Sequence, residues 1–91
     1  MENVKKIISE IDNIYEMIQS NEINQSMEKL ISLIENIQVN MEDISKSENF
    51  DINQFNSILG NMMNCMVQKD YYMLSDLLIY ELKPILENIG E

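Results

Sequence analysis

Apolar residues recur every three or four positions along most of the chain. In the first segment Val4, Ile7, Ile11, Ile14 and Ile18 are spaced 3, 4, 3 and 4; Ile8 and Tyr15 widen the stripe, and Lys5, Lys6, Ser9, Glu10, Asn13 and Glu16 take the other side. A stripe of that period is one face of an α-helix, which predicts a helix over about 2–20. Ser20-Asn21 ends it, and either residue can cap the second helix.

The second segment repeats the pattern for longer. Ile23, Met27, Leu30, Ile34, Ile37, Met41 and Ile44 alternate spacings of 4 and 3 with no Gly or Pro between them. One unbroken helix over about 22–46 is predicted, about 37 Å long at ~1.5 Å per residue. The polar run Ser45-Lys46-Ser47-Glu48-Asn49 then reads as a loop.

The third helix, about 51–68, has an explicit start signal. Asp51 is the N-cap and Gln54 completes a capping box, while Phe50 and Phe55 bracket the cap as a hydrophobic staple. Its stripe is Ile52, Phe55, Leu59, Met62 and Met66, again spaced 3, 4, 3 and 4. Gly60 in mid-helix costs stability, and close approach of another helix would explain it.

The fourth helix, about 71–89, is capped by Asp70 and closed by Gly90. Tyr71, Leu74, Leu78, Leu82, Ile85 and Ile89 line one side with Leu77 and Leu86 beside them, but Tyr72, Met73, Ile79 and Tyr80 fall elsewhere on the circumference. A helix that is apolar nearly all round is buried between others or sits at an interface. Pro84 removes the bond to the Tyr80 carbonyl, so a kink or short break is expected over 80–84. Short connections between long helices give an all-α fold in one domain, 1–91, with four helices packed as an antiparallel, up-down-up-down bundle.

Composition narrows the function more than it names one. The net charge is −10, from 16 acidic residues against 6 basic ones, all of them Lys. Such a chain repels nucleic acid and anionic membrane, so neither is expected as a partner; a basic or neutral protein is complementary to it. Histidine is absent, which removes the commonest general base and metal ligand. Cys65 is alone, with no disulfide to make and no His or Arg to activate it, so it reads as a buried thiol in a reducing compartment. No apolar run is long enough for a bilayer span and the N-terminus has no signal core, so the expected location is cytoplasmic. No catalytic residue, cofactor or metal site is predicted, and the chain is not expected to be an enzyme.

Two features of the fourth helix are candidates for function. Tyr71, Tyr72, Met73, Ile79 and Tyr80 can form an exposed apolar patch of the kind that marks a partner surface. Met62, Met63, Met66 and Met73 cluster where the third helix meets the fourth, as core filler or as an adaptable surface. Glu81 is the second feature. At about 100° per residue from Leu74 it falls near 340°, between Leu77 and Ile85 and inside the apolar stripe. A carboxylate there is buried and paired, or a rim residue whose head reaches water, or a ligand-binding group.

Residues 69–86, Lys69-Asp70-Tyr71-Tyr72-Met73-Leu74-Ser75-Asp76-Leu77-Leu78-Ile79-Tyr80-Glu81-Leu82-Lys83-Pro84-Ile85-Leu86, resemble the C-terminal segment of a group of small uncharacterised bacterial helical proteins. Their ending reads roughly D-Y-x-x-L-x-D-L-L-x-Y-E-L-x-P-x-L. The resemblance implies a domain of unknown function and no activity. In size, charge and amphipathic helices the chain is also similar to bacterial export and flagellar chaperones. The expectation is a non-enzymatic protein–protein interaction module that self-associates, as a homodimer, through the fourth helix. The alternative is a small acidic inhibitor or chaperone, of antitoxin, immunity or export-chaperone type, that masks a basic or apolar partner.

Overall fold

The computed structural model describes residues 2–89; the expected closure at Gly90 lies outside them. Among these residues there is no strand, and the chain is all-helical. Helix α1 spans Glu2–Gln19, α2 Ile23–Val39, a short α3 Met41–Ser45, α4 Ile52–Gln68, α5 Tyr71–Leu77 and α6 Lys83–Ile89. A π-helical turn, Leu78–Leu82, joins α5 to α6, so the last three form one continuous helical segment.

The stripe of α1 is the spine of the core. Val4, Ile7, Ile11, Ile14 and Ile18 are all buried, against Leu30, Leu33 and Ile37 of α2 and against Leu74, Leu78, Leu82 and Leu86 of the C-terminal segment. Helix α1 packs along both of these partners, and α4 packs on the C-terminal segment through Phe55, Ile58, Met62 and Cys65. Polar pairs mark how the helices lie alongside one another. Asn3 Nδ2 donates to Asn40 Oδ1 at 3.0 Å, and Asn36 Nδ2 reaches the Glu10 carboxylate at 3.2 Å. On the other flank Gln19 Nε2 donates to Ser75 Oγ at 3.4 Å and Lys83 Nζ to Asp12 Oδ1 at 2.7 Å.

The two tight turns use the same device. Asn21 and Lys69 are in the left-handed region, with φ of 64° and 59°. After α1 the Glu22 N–H bonds the Met17 carbonyl and the Asn21 N–H bonds that of Ile18; after α4 Asp70 bonds Cys65 and Lys69 bonds Met66. Both are Schellman arrangements, which satisfy helix-end carbonyls while reversing the chain. Asn21 is therefore a C-terminal residue of α1 and not the cap of α2; that cap is Glu22, whose side chain makes no capping bond. Asp70, by contrast, does cap α5, its Oδ1 accepting from the Met73 N–H at 3.2 Å. At the start of α4 Asp51 Oδ1 accepts from Asn53 and Gln54 N–H groups, and the Phe50 and Phe55 rings lie 5.3 Å apart at 56°. The staple fixes how the loop enters the helix.

Three expectations are corrected. The helix predicted over 22–46 breaks at Asn40, whose φ and ψ are −97° and 8°. Its side-chain Nδ2 donates back to the Asn36 carbonyl at 2.8 Å while its Oδ1 takes the bond from Asn3. An Asn amide that engages its own backbone offers an alternative to the helical ladder, and the short α3 that follows buries Ile44. Helix α2 is also rolled relative to its heptads. Ser26 and Leu33 are buried, whereas Met27 and Ile34 are only half-buried. Ser26 is buried with its hydroxyl satisfied locally, donating to the Ile23 carbonyl at 2.7 Å. Gly60, finally, is exposed, and a methyl group on its Cα would meet nothing within 4 Å, so no close approach explains it.

The expected disruption before Pro84 is the π turn. The Lys83 N–H bonds the Leu78 carbonyl, five residues back. A π turn advances each residue by roughly 80° instead of about 100°, so five residues take roughly 100° off the phase, about one residue's worth. At a uniform 100° per residue Leu74, Leu78, Leu82, Leu86 and Ile89 would spread over about 120° of the circumference; the turn narrows that spread, and all five are buried. The proline that cannot donate to the ladder sits immediately after the turn.

Candidate functional site

The π turn also decides where the candidate side chains lie. Tyr72, Asp76, Tyr80 and Pro84 are all exposed and occur at four-residue steps, so they form a strip along the outer face of the C-terminal segment. Tyr72 is 73% exposed, Tyr80 69% and Met73, beside the strip, 50%. Tyr71 and Ile79 are half-buried and pack against the core. Of the five residues proposed from sequence, three reach solvent together and two close the core edge. Exposed Met63 and Val67 lie one turn apart on α4, and Ile31, Val39 and Ile52 are exposed at other places. Scattered aliphatic residues of that kind are normal on a protein surface.

Glu81 is exposed, which corrects its reading as a buried carboxylate. The wider turn moves it from near 340° to roughly 290° on the helix circumference, to the edge of the apolar stripe beside Leu77. It lines an open hollow of about 300 Å³ with Asn49, Gln54, Tyr80, Pro84 and Asn88. This hollow flanks the lower end of the tyrosine strip. At the other end Tyr72 and Tyr71 border a hollow of about 270 Å³, lined also by Ile18, Ile23 and Lys69, between the two Schellman turns.

The electrostatics of this face are acidic. Asp76 lies between the two exposed tyrosines, Glu81 comes directly after Tyr80, and Asp70 precedes Tyr71; all three carboxylates are exposed. Lys83, the lysine of this segment, is turned to α1, where its hydrogen bond to Asp12 holds its ammonium above the ordinary lysine range; burial opposes that rise, and the charges of Asp12 and Glu87 support it. Cys65 is buried, and its thiol is pushed up first by burial and then by the Asp70 charge. A thiol held protonated is a poor nucleophile. Among the described residues no three of His, Cys, Asp and Glu converge to hold a metal ion, and no helix is long and apolar enough to cross a membrane.

Asp76 was not singled out by sequence reasoning. The signal was present in the Tyr72-Asp76-Tyr80 spacing of four residues, and the π turn straightens the line by reducing the drift of Tyr80.

No curated protein and no solved structure matches the chain. Over residues 1–91 it matches the family described as Domain of unknown function (DUF8042), and the chain belongs to that family.

Proposed function

We propose that this protein is a non-enzymatic protein–protein interaction module whose working surface is the outer strip of the C-terminal segment. The observation that carries this is the exposure of Tyr72 and Tyr80, with Met73 beside them, on one straight strip. Tyrosine and methionine are enriched at the centres of interfaces, where a large, semi-rigid side chain buries area at low entropic cost. A chain without histidine, whose one thiol is held protonated, supports a binding role over a catalytic one.

In this reading the helices form an up-down-up-down four-helix bundle that serves as a rigid scaffold. The pairs 3 with 40 and 10 with 36, then 19 with 75 and 12 with 83, support opposite directions for neighbouring helices. The two-residue turn Lys69-Asp70 supports the same for α4 and α5. A reduced, buried cysteine fits a cytoplasmic setting. The strip can receive a second copy of the chain, as in a homodimer, or a foreign partner that the module masks. The net charge of −10 favours the second of these.

Site-specific photo-crosslinking in the native cell tests the surface. A crosslinker at position 72 or 80 is expected to give discrete adducts, while one at exposed Glu28 or Asn24 on α2 gives none. Equal adducts from both sets of positions, or adducts from α2 alone, would remove the proposal.

A further inference from the structure

We infer that the tyrosine strip takes a basic amphipathic helix, carrying a Lys or Arg between two apolar anchors, and not a second copy of this chain. This rests on the interaction reading above and names its partner. The ground is the position of Asp76, four residues after Tyr72 and four before Tyr80, and exposed with them. In a two-fold dimer each residue faces a symmetry-determined partner. If two strips pair in parallel, Tyr72 meets Tyr72, Tyr80 meets Tyr80, and Asp76 meets Asp76. If they pair antiparallel, Tyr72 meets Tyr80, and Asp76 again meets Asp76. Either register that sets tyrosine on tyrosine also sets two carboxylates against each other at the centre, where contact is driest and like charges are least screened; the offset antiparallel register, Tyr72 on Pro84 and Asp76 on Tyr80, still brings two acidic faces of chains of net charge −10 together.

No cation of the same segment relieves that contact. Its lysine, Lys83, is engaged with Asp12 at 2.7 Å. Glu81 and Asp70 extend the negative field to both ends of the strip. The complementary surface is therefore apolar at two points about two helical turns apart and positive between them, with further basic residues on its flanks. An ammonium or guanidinium set between Tyr72 and Tyr80 gains the Asp76 charge and the faces of two aromatic rings together.

The Asp76→Lys/Glu81→Lys variant of this protein is itself a probe of that chemistry, since it presents the same two tyrosines with one cation between them and a second on the flank. Asp76 and Glu81 are exposed, so the substitutions spare the core, and Asp76→Arg/Glu81→Arg serves as a second variant. Light scattering is measured on wild type, on each variant and on equimolar mixtures, at low and high salt. The expected result is monomeric wild type and monomeric variants, with a one-to-one complex only in the mixtures. The complex is expected to weaken about tenfold or more at high salt, and to be lost when Tyr72→Ser and Tyr80→Ser are placed in either member. A wild-type dimer abolished by Tyr72→Ser and Tyr80→Ser overturns the choice of partner and leaves the interaction surface standing. Mixtures that remain monomeric, or that associate regardless of the tyrosines, overturn the inference; the crosslinking experiment then decides the surface separately.

Discussion

Lys83 Nζ donates to Asp12 Oδ1 at 2.7 Å, joining the C-terminal segment to α1 across 71 positions of sequence. The bond favours the charged amine, so the folded-state value of Lys83 lies above its unfolded one. The stability it contributes is then fully present below about pH 10, the ordinary lysine range, and is lost as pH rises through the folded value. Urea denaturation between neutral and alkaline pH is expected to show this loss, and Lys83→Met to remove it. The measurement belongs in a Cys65→Ala background, because the buried thiol also titrates in that range. An unchanged alkaline slope in Lys83→Met would show that the pair does not support the fold.

Cys65 offers a kinetic test of the core. Its thiol is buried and held protonated by burial, with Asp70 adding to the effect. Alkylation at mildly alkaline pH is expected to be at least about tenfold slower in the native protein than in urea, because only the thiolate reacts. Asp70→Asn, which keeps a capping oxygen, is expected to raise the native rate modestly. Equal rates with and without urea would mean that the packing of α4 on the C-terminal segment does not cover the sulfur.

The π turn behaves as one surplus residue accommodated within a helix. Deleting Tyr80 together with Pro84→Ala would let the segment run as a regular α-helix with Leu82, Leu86 and Ile89 still facing α1. Deleting exposed Asn13 in α1 has no such outlet and rotates half of the stripe by about 100°. The first variant is expected to stay folded with a loss under about 2 kcal/mol, a shift of the size ordinary substitutions produce. The second is expected to lose its cooperative transition. Circular dichroism and urea titration compare them, and equal damage from both deletions would contradict the account of the turn.

Two glycine exchanges should both stabilise, for opposite backbone reasons. Gly60 sits in a helix with nothing near its Cα, so Gly60→Ala is expected to add about 0.5–1 kcal/mol. Lys69 holds a left-handed conformation that costs a side-chain-bearing residue, so Lys69→Gly is expected to add a similar amount, about 0.5–1 kcal/mol. Thermal denaturation reads both, and a loss of stability in Lys69→Gly would show that its side chain contributes more than its backbone costs.

The features legible in the sequence were local. The α1 stripe, the Asp51 and Asp70 caps and the Phe50–Phe55 staple could be read because each involves residues within a few positions of one another, where backbone geometry alone sets the contact. The remaining features depend on neighbours far along the chain. Asn3, 37 residues away, engages the Asn40 side chain where α2 breaks. Packing in the bundle rolls α2 onto Ser26, a residue that carries no hydrophobic signal. The π turn before Pro84 narrows the spread of Leu82, Leu86 and Ile89 on the buried side, which a uniform 100° count does not contain. That turn carries Glu81 to the edge of the stripe inside which counting had placed it. It also straightens the line of Tyr72, Asp76 and Tyr80 on which the proposed function rests.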